Sequence, residues 1–280
     1  MVRVWDVIAL TKSYFSIISV ALLTATTSIL AGVRSLDTIL TILAFFILLT
    51  AALNSYNNLM DARSDAVTKR GFPIPAGAVP VSWAVAVAAS LYLAAFLMLT
   101  RISAINVAAG LILGVDVLLS YLYSAPRVRL KKIPLLKGAV LVSHSLVFPF
   151  SAASFIAGNN PLNSLDRLAV TFIMGMAGHT LQDFGDIEGD RMMGDRTLPI
   201  VLGVRGGVYA TIAIYLLALA LAFLVNHTLQ AYTLVFLALQ AVLSTFLLRD
   251  AGLWTIIFKV NAVLSIVTVA AVFYTCCPAS

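Results

Sequence analysis

The sequence predicts an all-α, polytopic membrane protein: nine transmembrane helices, built as two four-helix repeats plus one. Three observations lead there. Of 280 residues, 61% are hydrophobic and 11% charged, against roughly 25% charged in soluble domains. Apolar runs of about 20 residues, the length that spans a bilayer as helix, recur almost without pause. Two acidic motifs of similar form return at nearly constant separation along the chain. The short alternating segments of a membrane β-barrel are not seen.

Taken in order, the expected spans are 7–31, 36–60, 81–100, 103–123, 136–157, 165–185, 208–225, 232–248 and 253–274. The first is read as a retained helix, since no small-residue cleavage site follows it. The connecting loops alternate in charge. Those on one side hold thirteen Lys and Arg residues, those on the other only Arg34, Arg101 and Arg167. The positive-inside rule places the basic side, with the N-terminus, in the cytoplasm and the C-terminus outside a cell membrane. The net charge of +6 therefore reads as topology and affinity for an anionic substrate, with no nucleic acid partner. Cys276 and Cys277 are adjacent and give neither metal spacing nor a disulfide framework.

The first motif closes the second span. Asn57, Asp61 and Asp65 stand four residues apart, and each such step on a helix advances about 400°, so the three share a face. The second closes the sixth span, where Asp183, Asp186 and Asp190 stand at i, i+3 and i+7. Each row is followed by the form Pro-Ile-x-x-Gly, at Pro73–Gly77 and Pro199–Gly203. The acids repeat after 125 residues and the prolines after 126, which defines spans 1–4 and 5–8 as two copies in parallel. Both rows then fall on the cytoplasmic side.

One row alone reads equally as helix-end acids facing water. Two rows at equivalent positions on one side of a membrane need a common partner, because ionisable groups at that depth are costly and usually face a cavity. Carboxylates without a His/Cys cluster favour Mg²⁺, which typically bridges one or two acids to substrate phosphates. With basic loops alongside, the residues point to a diphosphate site at a membrane mouth, its ligand carrying a lipid tail. A transporter using the same carboxylates for ions is the competing class, as is a bare prenyl-diphosphate phosphatase.

The motifs resemble those of the UbiA superfamily of intramembrane prenyltransferases. The matching pieces are the Asn57, Asp61, Asp65 row, the stretch from Lys69 and Arg70 through Gly77, Tyr123-Ser124-Ala125-Pro126-Arg127, the Asp183, Asp186, Asp190 row and Thr197 to Gly203. The resemblance covers nearly the whole chain, 1–280, as one domain around a central cavity. It implies Mg²⁺-dependent transfer of a polyprenyl group from its diphosphate to a lipid or aromatic acceptor. The leading acceptors are geranylgeranylglyceryl phosphate and a 4-hydroxybenzoate-type ring. By position, Asp61, Asp65, Asp183, Asp186 and Asp190 would hold metal, with Asn57 alongside. Lys69, Arg70, Arg129 and Lys131 would contact phosphate or set topology, and Tyr123 would face the allylic centre or anchor the interface. Lys12 stands where many members have Arg-Pro, and reads as a substrate contact or a snorkelling lysine. Asp116, inside a span, is open between touching substrate, orienting a helix and pairing across the bundle; His144, also inside a span, reads as an interhelical hydrogen-bonder in preference to a catalyst.

Overall fold

A computed structural model describes residues 3–11, 14–68, 71–225 and 230–274. Among them the fold is all-helical: α1 (Val4–Leu10), α2 (Tyr14–Leu30), α3 (Leu36–Thr68), α4 (Val81–Ile105), α5 (Val107–Ser124), α6 (Leu136–Val142), α7 (Phe148–Ile156), α8 (Leu165–Met193), α9 (Leu198–Leu224), α10 (Gln230–Thr245) and α11 (Trp254–Phe273). Helices α6 and α7 are joined through one π-helical stretch, Ser143–Val147, so 136–156 is a single rod. Lys12, Lys69 and Arg70 lie outside the described residues.

Among the described residues, seven helices are long and apolar enough to cross a membrane: α3, α4, α5, the α6–α7 rod, α9, α10 with its terminal turn, and α11. The expectation of nine is met only to that extent. The first expected span is in fact two helices, α1 and α2, and the apolar part of α2 is short, Ser16–Leu30. Thr11 caps the end of α1, its hydroxyl turned back to donate to Ile8 O at 2.8 Å. The 29-residue α8 is long enough, but its inner face carries His179, Thr180, Gln182 and Asp183 in place of aliphatic side chains.

Burial follows the solvent inversion of a membrane protein. Large apolar side chains such as Leu93, Leu97, Leu111 and Phe223 are exposed, forming a surface suited to hydrocarbon. The contacts between helices are made by small residues. Ala84, Ala88 and Ala95 of α4 are buried where α4 packs on α3, and Gly207, Thr211, Ala218 and Ala222 line the buried face of α9, which packs on α8. Small side chains let helix backbones approach when no hydrophobic difference drives association.

The two expected copies share this plan. In each, the helix bearing an acidic row packs against the helix that follows, α3 on α4 and α8 on α9. The equivalent glycines of the two Pro-Ile-x-x-Gly motifs both have positive φ, 70° at Gly77 and 72° at Gly203. A side chain disfavours that region, so the glycine fixes each turn. In the first copy the turn precedes α4; in the second it kinks α9 near its start.

Both long helices carry their acids beyond the apolar stretch. Helix α3 continues to Thr68, past the expected end at residue 60, and α8 continues to Met193, past 185. The rows therefore stand on rigid helix at one end of the bundle. At the opposite end Arg101 pairs with Asp37 at 2.9 Å, and Asn106 caps α5 by accepting from Ala109 N.

Candidate active site

The two acidic rows open onto one cavity of about 250 Å³. Helix α3 contributes Asn57, Asp61 and Asp65; α8 contributes Asp186 and Asp190; Tyr123, Arg129, Lys131 and Lys137 come from the segment between them in sequence. Asp183 is absent from this wall. It turns instead toward Lys137, whose Nζ lies 2.7 Å from its carboxylate.

Cations are threaded between the rows. Lys131 Nζ donates to Asn57 Oδ1 at 2.6 Å and forms an ion pair with Asp61. Arg129 Nη2 donates to Asp61 at 3.0 Å. Lys137 spans Asp183 and, at 3.4 Å, Asp190. Asn57 is fixed further by the hydroxyl of Ser124, which donates to Oδ1 at 2.9 Å. Burial makes these pairings mandatory: a buried charge needs a partner and good geometry to offset its lost hydration. For Lys131 burial prevails over Asp61, and its ammonium is pushed down to about 8. Burial also works against the charge of Arg129, but Asp195 and Asp61 outweigh it and hold the guanidinium above its ordinary value.

Asp195 is a site residue that the sequence did not disclose. It is buried, and it receives a bidentate fork from Arg129, Nε to Oδ1 at 2.8 Å and Nη2 to Oδ2 at 2.9 Å. The loop before α6 and the turn after α8 also join through Arg196 N, which donates to Lys132 O at 3.0 Å. Arg129 itself has φ 41°, an uncommon conformation for a non-glycine residue, held by its three carboxylate contacts. Lys137, one of the thirteen basic-side charges, reads in sequence only as topology. One signal was available for it: a lysine in the first turn of an apolar span, on the same side as both rows.

Tyr123 is buried on the cavity wall, with Lys131 Nζ 5.9 Å from its ring centroid. Deeper in, the wall passes Asn54, Thr50, His144 and His179. A second, mostly apolar cavity of about 120 Å³ continues from there, sharing Ser16, Val20, Ser145, His179, Gln182 and Phe258 with the first and adding Leu23, Leu146, Met174 and Val269. The whole is a polar mouth leading to an apolar arm.

The residues present fit a divalent cation of the oxygen-seeking kind. Among the described residues no three His, Cys, Asp or Glu side chains form a ready metal cluster, which disfavours a protein-only cage. The four cavity carboxylates, two per helix, match Mg²⁺, which takes one or two acids and completes its shell with water and phosphate.

Comparison with known proteins agrees with this geometry. The UbiA prenyltransferase family matches residues 15–257. A digeranylgeranylglyceryl phosphate synthase of Methanoregula boonei is 36% identical over 66% of this chain and 62% of its own length. The synthase of the same name from Methanoculleus marisnigri is 34% identical over 58% of this chain and 57% of its own. A bacteriochlorophyll synthase 33 kDa chain of Cereibacter sphaeroides is 32% identical over 59% and 53%. The chain thus spans about 60% of the length of the curated relatives it matches. A UbiA homologue from Archaeoglobus fulgidus, solved with GPP and Mg²⁺, superposes with a TM-score of 0.70 over 96% of this chain and 99% of that one, at 17% identity. At that identity the likeness carries the fold.

Proposed function

The chain belongs to the UbiA prenyltransferase family, and from that premise we propose that it transfers a polyprenyl group, within the membrane, from its diphosphate to an acceptor that attacks through a hydroxyl oxygen. The observation that carries this reading is the facing pair of acidic rows on α3 and α8 around one cavity, interleaved with cations. Helices α2 and α8 complete nine crossings with the seven apolar ones, and the mouth lies on the cytoplasmic side with the N-terminus. Geranylgeranylglyceryl phosphate is the favoured acceptor, on the names of the relatives from Methanoregula boonei and Methanoculleus marisnigri. A 4-hydroxybenzoate-type ring, which would attack through an aromatic carbon instead, is the runner-up.

Asp61 and Asp65 on one side, and Asp186 and Asp190 on the other, would hold Mg²⁺, with Asn57 alongside and Asp183 acting through Lys137. When bound, Mg²⁺ neutralises charge that develops on a departing diphosphate. Arg129, Lys131 and Lys137 already stand in the same cavity and supply further donors for phosphate oxygens, as preorganised cations do at a leaving group. Lys12, Lys69 and Arg70 are proposed to assist there. The apolar arm accommodates the polyprenyl tail and keeps water from the reacting carbon. The buried ring of Tyr123 offers a π face to the allylic cation.

The test is direct. Purified protein is incubated with Mg²⁺, geranylgeranyl diphosphate and a panel of acceptors, and products are identified by mass spectrometry. A geranylgeranyl ether of the glyceryl phosphate is expected. Prenyl alcohol alone would mark a phosphatase, and no consumption would return the carboxylates to a transport role.

A further inference from the structure

One buried carboxylate–imidazole pair has no part in the diphosphate end of the cavity. Asp116 of α5 is 1% exposed and His144 3% exposed, and His144 Nδ1 lies 3.0 and 3.2 Å from the two carboxylate oxygens of Asp116. A carboxylate inside an apolar bundle is expensive, and an apolar residue of like volume would pack there at lower cost. The imidazole is also delivered at a break in regular helix. His144 lies in the π-helical stretch Ser143–Val147, which ends two residues before Pro149, whose missing N–H cannot continue the α-helical ladder. Such π segments occur frequently at functional sites.

The other ring nitrogen meets a second residue of the cavity wall. His144 Nε2 is 2.9 Å from Thr50 Oγ1, and both residues lie on the cavity wall. The Thr50 hydroxyl has a second acceptor in reach, Phe46 O at 2.6 Å. It can therefore keep that bond and release Nε2 to an incoming hydroxyl without loss. Thr50 stands eleven residues before Asp61 on the same helix, about 16 Å deeper at 1.5 Å per residue. In an in-line displacement the nucleophile approaches from the side opposite the leaving group, so a base for it must lie deeper than the diphosphate. Thr50 and His144 meet that requirement.

We propose that His144 is the general base that takes the proton from the acceptor hydroxyl, with Asp116 as its positioning residue. The inference rests on the transfer reaction proposed above. As the bond from C1 to the diphosphate oxygen breaks, its electron pair leaves with diphosphate. The acceptor oxygen forms the new bond to C1, its O–H bond breaks, and the proton passes to Nε2. The imidazolium that results is paired with the Asp116 carboxylate through Nδ1–H. Three other groups lie near the pair: His179 of α8, on the same cavity wall as His144, Tyr92 of α4, whose hydroxyl meets Ser120 of α5, and the Phe46 ring, 5.6 Å from that of His144.

The experiment compares wild type with His144→Gln and Asp116→Asn, using geranylgeranyl diphosphate, Mg²⁺ and the acceptor on which wild type is active. General-base removal is worth about 10²- to 10⁴-fold. His144→Gln is expected to lower kcat by that range, to leave the KM for the prenyl diphosphate within about threefold, and to flatten the low-pH limb of the rate profile. Asp116→Asn is expected to lower kcat by about 10-fold or more with the same KM split. Binding of geranylgeranyl diphosphate with Mg²⁺, measured by calorimetry, is the control for folding. Two outcomes overturn the assignment of the base alone: wild-type kcat and pH profile in His144→Gln, or loss of diphosphate binding in both variants, which makes the pair structural. Wild type that transfers to no acceptor overturns the proposed function, and the base with it.

Discussion

Arg129 grips Asp195 with a two-point fork while its Nη2 reaches Asp61 at 3.0 Å. One guanidinium thus ties the first acidic row to the turn that follows the second. The loop carrying Arg129 and Lys131 becomes a bridge between α3 and the turn after α8. Only a planar fork serves two carboxylates in this way. Arg129→Lys is expected to weaken the tie, raising the KM for prenyl diphosphate about tenfold with a smaller change in kcat. Asp195→Ala leaves a buried guanidinium short of its main partner and is expected to cost about 3 kcal/mol of stability. Steady-state kinetics and thermal unfolding in detergent read the two effects separately.

Lys137 carries the second row as Arg129 carries the first. It is the cation between Asp183 and Asp190, and Lys137→Met leaves two carboxylates facing each other in a buried site. The expected loss is about 3–5 kcal/mol. Adding Asp183→Asn to that variant removes one of the stranded charges and should recover part of the loss. Thermal unfolding of wild type, the single and the double variant measures the recovery; a double variant no more stable than Lys137→Met would contradict the pairing.

Helix α8 is held close to α11 by an absent side chain. A Cβ built on Gly185 would stand 2.2 Å from the ring of Trp254, one residue before Asp186. Gly185→Val forces the Trp254 ring or α8 itself to move, immediately beside the second row. A stability loss of about 1–3 kcal/mol is expected, together with weaker diphosphate binding. Gly114, which has open space around its Cβ position, serves as the control: Gly114→Ala should leave binding unchanged.

Metal dependence follows from the oxygen-only donor set. Chelation with EDTA is expected to abolish turnover, and Mg²⁺ to restore it, while Zn²⁺ restores little for want of nitrogen or sulfur ligands. Full activity in EDTA would remove the metal from the mechanism.

Much of this was legible from residue spacing. Facial rows such as Asn57, Asp61 and Asp65 are a property of one helix, and helical periodicity reports them without tertiary knowledge. The same holds for the long apolar runs and for the Pro-Ile-x-x-Gly turns, whose glycines adopt matching φ. What stayed hidden were contacts between distant parts of the chain. Arg129 meets Asp195 across 66 residues and Asp116 meets His144 across 28, and no periodicity links residues on different elements. The first expected span divides into α1, which ends at Leu10, and α2, and hydropathy does not mark that division. Asp183 shares its helix face with Asp186 in sequence terms, yet Lys137 draws it off the cavity wall.

The claim at the centre is that the two rows act as one metal-dependent clamp on a diphosphate. The direct measurement is calorimetric binding of a non-hydrolysable geranylgeranyl diphosphate analogue to wild type, Asp61→Asn, Asp186→Asn and the double variant, each with and without Mg²⁺. Binding should require Mg²⁺, fall more than tenfold in either single variant, and fall little further in the double one, because residues that act as a unit are not additive. Binding that survives without Mg²⁺, or that ignores Asp186→Asn, would contradict the clamp.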